Sequence, residues 1–437
     1  MDYEYTDKCV TPWGGMLQMK RMLDKTGIEE FLSELGLPQG RSNNHINAVS
    51  IVEAFWVSVW IGAFRFSHTT VVRVDETLKK IFGWKRVPSP VTFTRFFRKF
   101  SLKENTRIFT RLNEWFFNQL HFDNYVLDVD SSVLTRYGEQ EGSRVGYNPQ
   151  KRGRPSHHPL FAFIADLRMV ANCWLRSGDT RSANNCIAFL EETFQILKGK
   201  TIGLFRADAG FCSEKIFSFL ESQERPVPYV IAGRMNTLLK WQIKDLRQWI
   251  EVDEGLWIGE MSYQAHGWSK ERRMVVVKQD VGIRPKAGGK MLKLFDDSPF
   301  YERYRYHCFF TNQTLPAVEI WEQYKRRADS ENRIQELKQD FGVEGFCMKN
   351  FYATEAALRM VMVAYNLVAL YRLFSKQNTN YQRLTTLRFN CFAVGSWLIK
   401  RGHKKILKMS VPLKRRQWFD GLFANIKRSE WPLSLQT

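Results

Sequence analysis

Three carboxylates in this 437-residue chain stand where metal-assisted chemistry would need them. Asp130 closes the apolar, β-branched run Tyr125-Val126-Leu127-Asp128-Val129-Asp130 and is followed by Ser131 and Ser132. Asp208 closes a second such run, in Phe205-Arg206-Ala207-Asp208-Ala209-Gly210-Phe211, and Glu331 lies in a helical stretch that starts at Pro316. Acidic groups at the ends of two neighbouring strands, met by a third from a helix, can converge on hard cations such as Mg²⁺, which prefer oxygen ligands. Two such ions about 4 Å apart activate a water and stabilise the leaving oxygen when a phosphodiester is cut. An isolated Asp at a strand end is more often a turn former or a helix cap, so the inference rests on the combination.

The helix around Glu331 sharpens it. At about 100° per residue, Tyr324, Arg327, Glu331 and Lys338 fall at about 0°, 300°, 340° and 320° on one continuous helix, a single face. That face offers a carboxylate for a metal, with Arg327 and Lys338 for flanking phosphates. Asp329 and Glu336 fall at about 140° and 120°, off this face, and are expected to be solvated. Asp128 is the rival of Asp130, two residues earlier on the same side of the strand; Asp130 is preferred because the hydroxyl residues follow it directly.

Helical patterning fills residues 17–120, broken at Leu37-Pro38-Gln39-Gly40 and Val87-Pro88-Ser89-Pro90. Within it, 92–100 (TFTRFFRKF) reads as an amphipathic helix with a basic edge or as a DNA-contacting helix. From 121 the texture turns to strands, at 125–130, 160–167, 169–175, 201–207 and 227–232, with helices at 184–197 and 213–220. This order predicts an α/β layer around a central sheet. Residues 234–310 read as a β-rich insertion with turns at Asp253-Glu254-Gly255 and Ala287-Gly288-Gly289. Helix returns at 316–341 and in a tail that includes 358–374.

Lys and Arg number 65 against 45 Asp and Glu, a net charge of +20. Such an excess points to a polyanion, nucleic acid first and a membrane surface second. Between Glu355 and Asp420 no acid occurs, yet the stretch holds Arg359, Arg372, Lys376, Arg383, Arg388, Lys400, Arg401, Lys404, Lys405, Lys408, Lys414, Arg415 and Arg416. A solvated face normally carries both signs, so this tail is expected on phosphates, Lys404 and Lys405 among its contacts. A second acid-free segment, 143–165, contains a Pro- and Gly-rich loop with Lys151, Arg152 and Arg154, suited to tracking a backbone. With 44% hydrophobic and 14% aromatic residues the chain is not of disordered composition. Seven scattered cysteines without a Cys-x-x-Cys pair suggest neither a disulfide framework nor a zinc site. His157 and His158 lack spaced Cys or acidic partners and read as loop residues near DNA, not metal ligands. The apolar stretch 48–66 contains Glu53 and Arg65 and reads as a buried helix, and the N-terminus lacks a signal-peptide pattern, so a cytoplasmic location is expected.

Tyr324-x2-Arg327-x3-Glu331-x6-Lys338 resembles the YREK signature of one large branch of the DDE-type insertion-sequence transposases, matching all four positions. Asp130-Ser131-Ser132 and Ala207-Asp208-Ala209-Gly210-Phe211 resemble that branch's first two catalytic Asp motifs, and 147–159 also looks like sequences from this group. The resemblance implies an α/β, RNase H-like mixed-sheet core interrupted by the β insertion. Its domain plan would be a helical DNA-binding region at 1–120, core at 121–233 and 311–345, insertion at 234–310, and a basic helical region at 346–437 for DNA binding or dimerisation. It further implies that Asp130, Asp208 and Glu331 hold two Mg²⁺, with Mn²⁺ as a substitute. Terminal inverted repeats in double-stranded DNA would be nicked, a hairpin formed and reopened, and the ends joined to target DNA by a homodimer in the bacterial nucleoid. An aromatic from the insertion would stabilise the flipped hairpin base, with Trp257, Trp268 and Tyr306 as candidates. A DNA-binding relic without catalysis, a nuclease without strand transfer and, weakest, a membrane-surface protein are the alternatives.

Overall fold

The computed structural model describes residues 1–284, 303–376 and 381–435, so the turn expected at 287–289 lies outside the described residues. A short strand β1 (Val10–Thr11) leads into seven helices: α1 (Met16–Thr26), α2 (Ile28–Glu34), α3 (Ala48–Trp60), α4 (Thr70–Val74), α5 (Glu76–Phe82), α6 (Pro90–Phe97) and α7 (Leu102–Asn118). Their starts follow from local chemistry. The Asn47 side chain accepts from the Val49 amide, Asp75 from Leu78, Ser89 from Thr92 with Pro90 as first helical residue, and Ser101 and Glu104 form a reciprocal capping box. Phe93, Phe96 and Phe97 of α6 are buried while Arg95, Arg98 and Lys99 are exposed, so 92–100 has an apolar face and a basic edge.

Next come β2 (Leu120–His121), β3 (Tyr125–Ser131), β4 (Leu134–Thr135), β5 (Arg144–Val145), β6 (Pro155–His157), β7 (Leu160–Ile164), β8 (Met169–Trp174), α8 (Cys186–Ile196), β9 (Ile202–Ala207), α9 (Glu214–Glu221) and β10 (Tyr229–Ala232). The region expected to be an insertion of strands begins with a helix, α10 (Thr237–Lys244), before β11 (Ile250–Asp253), β12 (Leu256–Tyr263), β13 (Arg272–Asp280) and β14 (Tyr304–Thr311). These strands do not form a separate layer. Among the described residues one nine-stranded sheet runs β11-β12-β13-β14-β10-β9-β3-β7-β8. Within it β3, β9 and β10 are parallel neighbours, β7 pairs antiparallel with β3 and β8 antiparallel with β7, and β14 joins β10 antiparallel. The inner strands are apolar without alternation because both faces of the sheet are covered.

A single helix over 316–341 is not found. The segment divides into α11 (Ala317–Lys325) and α12 (Ala328–Gln339). At the break the Arg327 amide bonds the Tyr324 carbonyl at 2.8 Å and the Ser330 amide bonds the Arg327 carbonyl at 2.8 Å, i to i−3 closures that tighten the turn. No Pro or Gly marks it.

The C-terminal region is not purely helical either. After α13 (Phe351–Ser375) and α14 (Leu384–Leu387) a hairpin forms from β15 (Ser396–Arg401) and β16 (Lys404–Met409), followed by α15 (Leu413–Arg428) and β17 (Leu433–Ser434). β15 pairs with β1 near the start of the chain, and β17 with β2 after α7, tying the C-terminal region to both ends of the helical N-terminal region. Among the described residues α13 is the one helix long and apolar enough to cross a membrane, but 89% of its apolar window is buried. It packs against β8, α3, α6, α7 and α15 and serves as the central core helix.

Candidate active site

Val129 lies opposite Ala207 in the parallel β3–β9 pair. Asp130 and Asp208, each the next residue, therefore leave adjacent strands at the same level. The Asp208 side chain accepts from the Gly210 amide at 2.8 Å, capping a short turn at Ala209–Phe211. Asp130 accepts from the Ser131 amide at 2.8 Å and from Ser330 Oγ at 3.4 Å. The Arg327 guanidinium, carried by the break between α11 and α12, reaches Asp130 Oδ2 at 2.9 Å. Burial lifts the Asp130 pKa to about 6; Arg327 opposes the rise and Asp208 adds to it.

Beside this pair a pocket of about 380 Å³ is lined by Tyr324, Arg327 and Glu331 together with Tyr306, His307 and Trp321. Tyr324 packs against Phe309 with its ring tilted by 44°, centroids 4.4 Å apart, and burial raises its phenol pKa. Three of the four residues predicted to share a helix face thus line one pocket, although two helices carry them. Lys338 does not line it. Its ammonium donates to the Val133 carbonyl at 2.8 Å, just beyond β3, and pairs with Glu344 at 3.4 Å.

Carboxylates are the donors a hard cation takes, so the chemistry of the set Asp130, Asp208 and Glu331 fits Mg²⁺. Among the described residues, however, no three acidic, His or Cys side chains lie close enough to form a ligand cluster. Asp130 holds Arg327 instead, and Glu331 stands on the pocket wall.

Asp128 has a different task. Fully buried, it takes Arg206 at 2.7 and 2.9 Å and Arg333 at 3.3 Å. Arg333 sits on α12 and also holds Asp329 at 3.0 Å, which pairs with Arg168 at 2.8 Å. These ion pairs dock α12 on β3 and so position Glu331. Neither Asp329 nor Glu336 is a solvated charge as expected: Glu336 is 1% exposed and accepts from Arg372 at 2.9 Å, the Leu384 amide at 2.9 Å and the Tyr381 hydroxyl. Sequence reading missed Arg206 and Arg333, whose partner is far away along the chain and leaves no local signal.

Of the two histidines expected in a loop, His157 lies in a strand and His158 in the short connection that follows it, and both are buried. His157, in β6, is buried, meets Arg136 Nε at 2.9 Å and the Glu141 carbonyl at 2.9 Å, and burial with the Arg136 charge lowers its pKa to about 4. His158 is buried and bonds the Thr180 carbonyl at 2.7 Å; burial lowers its pKa, Arg176 and Lys338 acting in the same direction and Asp208 against. Lys151, Arg152 and Arg154 are exposed on the 146–154 loop, with Lys151 and Arg154 over the Tyr137 ring at 4.9 and 5.8 Å.

The basic tail divides. Arg359 pairs with Glu192 and Glu355, Arg372 with Glu336, and Arg383 with Asp340, so its first half is internal. Lys400, Arg401, Lys404 and Lys405 are exposed around the tip of the β15–β16 hairpin. Of the three candidate aromatics, Trp268 is half-buried and packs against the core on Phe217, Tyr263 and Phe310. Trp257 meets the Lys278 ammonium at 4.9 Å, shared with Trp249 and Tyr304. Tyr306 alone of the three lines the pocket with Glu331.

No curated protein matches the chain. Among solved structures it is similar to one described as "Cryo-EM structure of piggyBac transposase synaptic complex with hairpin DNA", at 11% identity and a TM-score of 0.45, covering 86% of this chain and 78% of that one. A family model, "Transposase DDE domain group 1", matches residues 4–431. A match of that extent takes in every element described above except β17, and the chain belongs to this DDE transposase family.

Proposed function

We propose that the chain is the DNA transposase of an insertion sequence, cutting double-stranded DNA at terminal inverted repeats and joining the freed ends to target DNA. The observation that carries this reading is the register of β3 and β9, which sets Asp130 and Asp208 side by side at the sheet's end, with Arg327 and Glu331 arriving from α11–α12. The strand order β8-β7-β3-β9-β10, three antiparallel strands followed by two parallel ones, supports an RNase H-like core, with β11 to β14 as its insertion. We assign Tyr324, Arg327, Glu331 and Lys338 to the YREK signature. The division into a DNA-binding 1–120, a core at 121–233 and 311–345, an insertion at 234–310 and a basic 346–437 follows, as does a homodimer bridging two ends.

Asp130, Asp208 and Glu331 would hold divalent cations, Mg²⁺ or Mn²⁺. Bound there, such ions activate water and stabilise the leaving oxygen of a phosphodiester. Arg327 is placed to exchange Asp130 for the scissile phosphate, its planar fork matching two phosphate oxygens. Tyr324 and Tyr306 shape the pocket into which an unstacked nucleotide would turn. In this sequence of steps water breaks one P–O3′ bond, and the freed 3′-OH attacks the opposite strand, expelling its 3′-oxygen and forming a hairpin. Lys151, Arg152, Arg154, Lys404 and Lys405 would grip phosphates outside the pocket.

A second reading, a DNA-binding relic, draws on the Arg327–Asp130 ion pair standing where a cation would. The test is incubation of the protein with a labelled duplex bearing the terminal repeat that flanks its gene, with Mg²⁺ or chelator, on a denaturing gel. Metal-dependent nicks and a hairpin, abolished in Asp130→Asn, Asp208→Asn and Glu331→Gln while binding persists, support the transposase. A shifted but uncut duplex leaves the relic.

A further inference from the structure

The N-terminal helices hold a second concave site, outside the pocket of Glu331. A cavity of about 280 Å³ opens between the 38–47 loop, the segment before α6, and α6 itself, and Arg41, Arg86, Arg95 and Lys99 line it. No acidic side chain does. The sequence around it is acid-free as well, from 35 to 52 and from 77 to 103.

The four cations divide their work. Arg86 donates to the Asn44 carbonyl at 3.0 Å and to its side-chain oxygen, and Lys99 donates to the Gln39 carbonyl at 2.7 Å. These bonds brace the loop against α6. Arg41 and Arg95 are exposed and, among the described residues, have no hydrogen bond or ion pair. The face of α6 opposite Arg95 is locked in the core by Phe93, Phe96 and Phe97, which fixes where Arg95 stands. Four like charges around one void repel one another unless an anion sits between them. Two unpaired guanidinium forks on a braced frame match the oxygens of a phosphate.

We propose that this pocket seats a backbone phosphate of duplex DNA bound by the N-terminal helices. The inference rests on reading 1–120 as a DNA-binding region and names its contact. Of the two rings lining the cavity, Phe96 is 2% exposed and offers no stacking surface, which leaves the exposed His45 imidazole as the one ring a base could meet. A diester phosphate needs only the charges and donors present, and contacts of this kind fix register on the duplex without reading sequence.

The test is fluorescence anisotropy of full-length protein with a short labelled duplex across a salt series, comparing wild type, Arg41→Ala/Arg95→Ala and Arg98→Ala. Arg98 lies on the same basic edge but does not line the cavity. The double variant is expected to bind about tenfold more weakly at moderate salt and to lower the log–log salt slope by about 0.9 for each phosphate it no longer neutralises. Arg98→Ala should change little. Unchanged affinity and slope in the double variant, or an equal weakening in Arg98→Ala, overturns the pocket in favour of diffuse charge. Duplexes with 5′-phosphate and 5′-hydroxyl ends should bind alike; a preference for the phosphorylated end that vanishes in the double variant overturns the backbone assignment in favour of a terminal phosphate. The outcome is separable from the transposase reading, since wild type that binds through this pocket yet never nicks leaves the pocket standing and removes that reading.

Discussion

Arg327 and Asp130 form a buried ion pair at 2.9 Å, at the point where β3 ends and the break between α11 and α12 begins. The guanidinium limits the rise that burial imposes on the Asp130 carboxyl. Replacing it by Gln should push the Asp130 pKa above about 6. The acidic limb of the nicking rate should then move to higher pH, read from single-turnover rates between pH 5.5 and 8.5. A limb that stays in place would show that Asp130 does not govern it.

A carboxyl whose folded pKa is raised favours the folded state below its unfolded value, near pH 4, and loses that contribution as pH rises through about 6. A divalent cation bound to Asp130 and Asp208 should offset the loss. Mg²⁺ at 100 times its Kd should stabilise the protein by about 2.7 kcal/mol at pH 7.5. The shift in melting temperature should shrink below about pH 6, where the proton competes, and vanish with chelator or in Asp208→Asn. A shift retained in Asp208→Asn would place the cation elsewhere.

Asp128→Asn leaves Arg206 and Arg333 buried around a neutral group. Breaking a buried pair on one side costs about 3–5 kcal/mol, measurable as a lower urea midpoint. Little change would mean that the α12 docking rests on other contacts.

Trp268→Ala and Tyr306→Ala should separate core from site. The first removes a half-buried ring packed on three aromatics and should destabilise by up to about 3 kcal/mol, the lower end for a fully buried ring. The second also trims a half-buried ring packed against the core, so product yields are compared at equal folded protein, where it should reduce hairpin relative to nicked product. Equal hairpin yields in Tyr306→Ala and wild type would remove Tyr306 from the nucleotide pocket.

Reversing Lys404 and Lys405 to Glu at the exposed hairpin tip should weaken duplex binding and lower its salt slope by up to about 1.8. The urea midpoint should not move, because neither side chain is buried. Unchanged binding would confine the DNA footprint to other surfaces.

The strands that carry Asp130 and Asp208 were legible because inner strands of a covered sheet are continuous apolar runs, and each run ends at its carboxylate. The split at Arg326 and Arg327 was not, since the i to i−3 turn uses residues of ordinary helix propensity. The β15–β16 hairpin did have a signal: Gly402, at φ +60°, sits between two short runs rich in Leu, Ile and Lys. The all-basic tail misled because Arg359, Arg372 and Arg383 find their acids on other elements, a pairing that only the packed chain brings about. His157 and His158 misled likewise, their neighbourhood of Pro and Gly masking two buried rings.

The pairing of β14 with β10 has a mechanical consequence. Through β10, strands β11 to β14 are joined to the strands that carry Asp130 and Asp208, so a load applied at β11 twists one continuous plate and does not swing a flap. A duplex held across that plate, as the proposed transposase reading requires, would have to take up the distortion itself, and smooth bending of a 20–30 bp site by 40–90° costs on the order of 1–6 kcal/mol. Terminal sequences that bend or unstack easily would thus be favoured at positions no side chain touches.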